Sequence, residues 1–262
     1  MNYGFVGTGN LGGAIARAVC KSVGGEFVLL ANKTQAKAEN LAEKMGCRVG
    51  SNKVAASCDF VFLGVKPHMM EDMLADIQDV LNPGAVLVTM SAGLTMDTIR
   101  RMAGGTYPVI RMMPITPSGI GEGLIQYCCD GISPELEQAF VEAMRYAGRL
   151  DKIDEKLIDA ASCVSGCGPA WAYMFVESLA DGGVACGLPR AAALEYAAQM
   201  LIGTGTMLLE SGKHPGRLKD SVCSPGGSTI QGVRVLEEAG LRGAGMDAVI
   251  AAFEKNRDLG KK

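Results

Sequence analysis

The 262-residue sequence predicts an α/β first half followed by an all-helical second half, and three observations carry that expectation. A short apolar strand at residues 3–6 runs directly into Gly7-Thr8-Gly9-Asn10-Leu11-Gly12-Gly13 and then into an Ala-rich helix. Apolar, strand-like runs alternate with stretches of helical period as far as residue 153. After that point no strand-like run is followed by a turn again, and every long segment has helical spacing. The boundary is therefore expected near Asp154, with one domain over 1–153 and a second over 154–262.

The opening turn is the most informative stretch. Gly7 allows a tight turn, Gly9 lets the backbone approach a pyrophosphate, and Gly12 lets the helix pack close to the strand. A lone G-x-G-x-x-G is weak, but here a strand precedes it, a helix carrying Ile15, Ala16 and Val19 follows, and a second strand comes on schedule. It reads as the nucleotide loop of a Rossmann-type domain, with Gly7, Thr8, Gly9, Asn10, Leu11 and Gly12 as cofactor contacts. The unpaired N–H groups and the positive dipole end of the helix supply the anion site, so no basic side chain is required there.

The second strand, residues 27–31, is a continuous apolar run, as expected for a parallel strand covered on both faces. It ends at Asn32-Lys33-Thr34, where an NAD-preferring site usually places a carboxylate for the ribose 2′-hydroxyl. Asn32 removes the repulsion a 2′-phosphate would meet, Lys33 adds a cation and Thr34 a hydroxyl, so the expected cofactor is NADPH, with NADH as the alternative. The same residues also fit a plain helix start, with Asn32 or Thr34 as N-cap and Lys33 merely exposed.

A helix with Ala38, Leu41, Ala42 and Met45 on one face follows, then short strands at 47–49, 60–65, 85–90, 107–112 and 123–129. Ligands of open α/β sheets bind outside the carboxyl ends of the strands, which places Val65, Lys66 and Pro67, and Met90, Ser91 and Ala92, along the cofactor groove. Asn52 completes the candidate cofactor set. Ser133 and Pro134 start a helix as N-cap and first residue, expected to run to Gly148. Arg111 and Glu122 fit polar groups near the domain junction, but a surface ion pair is the default reading for both.

Composition narrows the function. The formal net charge of −3 leaves no basic excess, so neither nucleic acid nor an acidic membrane is an expected partner, and the substrate should be small. Nine scattered cysteines without a C-x-x-C pair, and a first strand at residue 3 that leaves no room for a leader, point to a reduced, cytoplasmic protein. The most membrane-like run, 191–209, carries Glu195 and Gln199 and is broken by Gly203 and Gly205, so it reads as a buried or interface helix. With only His68 and His214 and no Cys/His cluster, no metal site is expected, and His214 in its His-Pro-Gly turn reads as structural.

The helical half holds a second loop of the same logic. In Ser224-Pro225-Gly226-Gly227-Ser228-Thr229 a proline fixes the entry, two glycines permit unusual dihedrals, and a helix starts directly after. Backbone N–H groups of Gly227, Ser228 and Thr229 at that helix start suit a small anion such as a substrate carboxylate. The plainer alternative is that Ser224 or Ser228 simply caps a structural helix.

Together with this loop, the residues from Gly7 to Gly12, Val65-Lys66-Pro67, Arg111-Met112-Met113-Pro114, Gly166-x-Gly168-Pro169-Ala170 and His214-Pro215-Gly216 with Leu218-Lys219-Asp220 resemble the pyrroline-5-carboxylate reductase family over the whole length. The resemblance implies a Rossmann domain joined to a helical dimerisation domain, an intertwined dimer, and NADPH-dependent reduction of a cyclic imine, 1-pyrroline-5-carboxylate, to L-proline. It places substrate against Ser224, Gly226, Gly227, Ser228 and Thr229, with the Thr229 hydroxyl at the imine nitrogen. The chain departs from the pattern at Ile115, where the family usually has Asn, and at Cys167 and Cys223, where it has small hydroxyl residues. Two alternatives remain: another NADP-dependent reductase of the hydroxyacid dehydrogenase plan, and a non-catalytic NADPH sensor.

Overall fold

The computed structural model describes residues 1–259. In chain order the first compact unit contains β1 (Tyr3–Val6), α1 (Asn10–Val23), β2 (Val28–Ala31), α2 (Gln35–Met45), β3 (Arg48–Val49), α3 (Asn52–Ala56), β4 (Phe60–Leu63), α4 (Met70–Ile77), β5 (Val86–Thr89), α5 (Met96–Ala103), β6 (Val109–Met113), β7 (Gly123–Asp130), α6 (Pro134–Ala143), β8 (Gly148–Lys152) and α7 (Glu155–Ser165). The strands form one sheet in the order β3-β2-β1-β4-β5-β6-β7-β8. All neighbours are parallel except β6 and β7, which run antiparallel. The order reverses beside β1, so the first turn opens at the switch between β1 and β4, where doubly wound sheets bind their ligands.

The apolar strand runs are buried on both faces because helices cover both sides. Phe5, Leu30, Phe62 and Val88 meet Ile15 and Val19 of α1 and Phe140 of α6 in one core layer. Their neighbours Val6, Leu29, Val61 and Leu87 point the other way, onto Leu74 and Ile77 of α4 and Ile99 of α5. Phe5 and Phe62 stack across β1 and β4 with ring centroids 4.4 Å apart.

Two local expectations are corrected. The helix starting at Pro134 stops at Ala143, not Gly148, and residues 148–152 form an eighth strand, β8. That strand, Gly-Arg-Leu-Asp-Lys, lies at the sheet edge with none of its residues buried, so it needs no apolar run and its sequence carried no strand signal. It is tied to α6 by Lys152, whose ammonium donates to Glu137 at 2.7 Å. Burial and the hydrogen bond to Glu137 push the Tyr127 phenol beside this pair up to about 12.

The first unit runs past Asp154 to Gly166 and takes in the chain again from Phe253. The reason is packing: α7 sets the buried Ile158 into the sheet's second core layer, and Asn256 reaches Ser162. The second unit spans Cys167–Ala252 and is helical: α8 (Gly168–Ala185), α9 (Arg190–Ser211), α10 (Pro215–Ser221), α11 (Ser228–Glu238) and most of α12 (Leu241–Leu259). In the single chain α9 is buried only at Ala193 and Ala197, leaving Tyr196, Ile202, Met207 and Leu209 exposed. Among the described residues no helix is long and apolar enough to cross a membrane.

Candidate functional site

The three motif glycines divide the work of the first turn between conformation, packing and open space. Gly7 has φ +99°, a region that side chains avoid, and its N–H donates to Ala31 O at the end of β2. A Cβ on Gly12 would stand 2.3 Å from Gly7 O, so α1 could not close on the turn with any side chain there. A Cβ on Gly9, by contrast, would meet nothing within 4 Å. The protein itself does not require glycine at Gly9; the need lies with whatever fills the space above it.

That space is a cleft of about 510 Å³, whose lining includes Gly7, Gly9, Asn32, Lys33, Asn52 and Val65 together with Met69 and Met73. It continues past Asn32, Lys33 and Asn52 into a second cleft of about 470 Å³. Gly9 is the N-cap of α1 and supplies no side-chain acceptor, and no acidic residue stands in the first turn, so the helix start is left open to an anion. No carboxylate stands at the end of β2. A dinucleotide fits this donor set: open N–H groups for the pyrophosphate and a cleft with apolar side chains for the adenine.

Several candidate residues serve the cleft indirectly. Asn32 accepts from Thr8 N–H at 3.3 Å and donates to Thr34 O at 3.1 Å, so its amide ties the glycine turn to the start of α2. Ser91 is buried; its hydroxyl donates to Val65 O at 3.2 Å and its N–H to Thr89 Oγ1 at 3.3 Å, holding the loop after β5 against the loop after β4. Met90 is buried beside Gly64, while Ala92 is half-buried. Lys66 caps a short 3₁₀ turn begun by Pro67. Thr34 occupies the N-cap position of α2 without a side-chain bond. Leu11, half-buried on α1, packs against the first core layer.

Arg111 is the correction of most consequence. It is no surface residue: its side chain is 1% exposed and paired with Asp159 and Glu155 of α7. Nothing in the local pattern of β6 could have named partners 44 and 48 residues away. Glu122 is exposed and forms no ion pair among the described residues.

In the second unit, Ser224 O accepts from Gly227 N–H at 3.0 Å and Gly226 takes φ +69°, closing a turn in front of α11. Gly227, not Ser224 or Ser228, is the N-cap, and no side chain caps the helix. Ser228 and Thr229 are exposed in its first turn, and their hydroxyls form no hydrogen bond among the described residues. The 11-residue α11 thus presents unsatisfied N–H donors flanked by two hydroxyls. His214 is a cap: its Nδ1 accepts from Gly216 N–H at 3.1 Å at the start of α10.

A doubly wound sheet with a glycine turn at its switch point, followed by a helical unit with its own open helix start, defines a dinucleotide-dependent oxidoreductase. Comparison with known proteins agrees. The family model "NADP oxidoreductase coenzyme F420-dependent" matches residues 2–93, and the model "Pyrroline-5-carboxylate reductase dimerisation" matches residues 155–259. The chain is 37% identical to pyrroline-5-carboxylate reductase of Escherichia coli over 98% of both chains, and 37% identical to that of Arabidopsis thaliana over 98% of this chain and 94% of the relative. The crystal structure of Plasmodium falciparum pyrroline carboxylate reductase with NADP bound superposes with a TM-score of 0.91 at 30% identity, covering 99% of this chain and 98% of that one. The 1-pyrroline-5-carboxylate reductase of Streptococcus pyogenes superposes with a TM-score of 0.90 at 27% identity over 98% of each. The chain belongs to the pyrroline-5-carboxylate reductase family.

Proposed function

We propose that the chain reduces 1-pyrroline-5-carboxylate to L-proline in the cytoplasm, with NADPH as the preferred reductant, as a dimer or dimer-based oligomer paired through its helical half. The open start of α11 carries the substrate half of this reading. Its N–H groups at Ser228 and Thr229, with the Ser224 turn behind them, bind the substrate carboxylate by the same physics that the start of α1 offers a pyrophosphate. The Thr229 hydroxyl then stands at the imine nitrogen. It accepts from the protonated imine and donates to the amine after reduction, changing role by rotation alone. The nicotinamide of the bound cofactor would supply the hydride. The division at Gly166 supports assigning nucleotide binding to the first unit and substrate binding to the second.

The test is NADPH oxidation with 1-pyrroline-5-carboxylate, with proline identified as product, alongside 2-hydroxyacid and 3-hydroxyacid pairs. Turnover only with the imine is expected. Turnover with a hydroxyacid pair would place the chain among the hydroxyacid dehydrogenases, and tight NADPH binding without turnover on either would make it a sensor.

A further inference from the structure

Cys20 and Cys47 form a pair of thiols at the far ends of α1 and α2, the two helices that follow the first two strands. Cys20 lies in the last turn of α1, about 15 Å along the helix from the glycine turn. Cys47 lies between Gly46, which ends α2 in the left-handed region, and β3. The backbones of these two connections are in direct contact: a Cβ on Gly25, just after α1, would stand 2.2 Å from Gly46 O. Both cysteines are free thiols, Cys20 8% exposed within the first core layer and Cys47 half-buried against that layer.

The contact gives the two sulfurs different chemistry. Cys20 Sγ–H donates to Cys47 Sγ, and this bond, joined by the backbone N–H of Cys47, holds the Cys47 thiol below its ordinary range. The same bond, together with burial, pushes Cys20 up. The thiolate is the nucleophile in disulfide exchange, so the more accessible Cys47 is the one suited to attack, with Cys20 beside it to resolve the product. The adjacent cysteines Cys128 and Cys129 have no such relation, because neighbours on β7 point to opposite faces and join different core layers.

We infer that Cys47 is a modification site that reacts with a low-molecular-weight disulfide, and that Cys20 resolves the adduct into an internal Cys20–Cys47 disulfide. Cys47 Sγ attacks one sulfur of the small disulfide, whose S–S bond breaks; one half stays on Cys47 and the other leaves as a thiolate. Cys20 gives its proton to solvent and attacks Cys47 Sγ, expelling the second half as a thiolate. Two protein thiols are oxidised to one disulfide while one small disulfide is reduced to two thiols. The site is independent of the reductase reading, and its test reads modification, not turnover.

The reduced full-length protein is treated with oxidised glutathione, quenched and mapped by peptide mass spectrometry. Wild type is expected to give cross-linked peptides carrying Cys20 and Cys47, with no glutathione on either, and dithiothreitol should reverse the bridge. Cys20→Ala and the closer isostere Cys20→Ser should each stop at one glutathione on Cys47, retained about tenfold longer or more than in wild type. Cys47→Ser should leave Cys20 unmodified. Melting curves taken before oxidation establish that each variant is folded, and the bridge is read in the wild type itself. Glutathione that stays on Cys47 in wild type overturns the inference, as does a Cys47 that remains free while the exposed Cys186 is modified, or a bridge from either residue to a different cysteine.

Discussion

Arg111 Nη2 donates to Asp159 Oδ1 at 2.5 Å, joining the last parallel strand of the switch region, β6, to α7. Glu155 Oε1 lies 3.5 Å from Nη1 of the same guanidinium and also accepts from Met96 N–H, at the start of α5, at 2.7 Å. One buried cation thus fixes α7 and α5 on the sheet.

Removing that cation strands two carboxylates, each 29% exposed and only partly able to rehydrate. Arg111→Met is expected to lower unfolding free energy by about 3 kcal/mol, measured by urea denaturation. A loss below about 1 kcal/mol would mean the pair behaves as a surface one.

The glycine turn separates folding from binding. Gly12→Ala puts a methyl group 2.3 Å from Gly7 O and should lower both the melting temperature and cofactor affinity. Gly9→Ala meets no protein atom, so its stability should stay within about 0.5 kcal/mol of wild type while affinity for the dinucleotide falls about tenfold or more. Equal melting losses in the two variants would refute this division.

Thr229 is exposed, and its hydroxyl forms no hydrogen bond among the described residues that would brace α11. Thr229→Val is expected to reduce kcat/KM on the order of ten- to a thousandfold with an unchanged melting temperature. A normal rate with a lower melting temperature would return the residue to a structural role and leave water as the proton source.

Self-association is expected to use the exposed apolar side chains of α9, which lies within the residues matched by the dimerisation family model. Ile202 is 63% exposed in the single chain, and Ile202→Glu should convert the oligomer to monomer in light scattering at micromolar protein. An unchanged mass would move the interface elsewhere.

The pair between Glu137 and Lys152 predicts a pH dependence. The Lys152 hydrogen bond holds the Glu137 carboxyl below its ordinary range, so its contribution is present above the unfolded carboxylate value and is lost as pH falls through the lower folded one. Lys152 is raised by the same bond, so its contribution is lost as pH rises through its folded value. With Lys152 52% exposed, Glu137→Gln should cost no more than about 1 kcal/mol at neutral pH, shrinking toward zero below about pH 4. A difference that persists in acid would assign the cost to the Tyr127 hydrogen bond instead.

Whatever depended on neighbours in the chain could be read from the sequence. The strand, the glycine turn and α1 are consecutive, and so are the Ser224 turn and α11, because an open helix start is built by residues that follow one another. Burial on both faces of a parallel sheet likewise writes itself into each covered strand as an apolar run, which exposed the alternating half. What the sequence could not carry were pairings across the fold. Edge strand β8 has no buried residue and leaves no apolar run; Arg111 meets Asp159 only because α7 returns to the sheet; the Asn32 amide acquires its role only when β2 lies beside the turn. Hydrophobic periodicity reports which face of an element is covered, averaged along its length. The choice of partner for one polar side chain belongs to geometry that arises after the elements have packed.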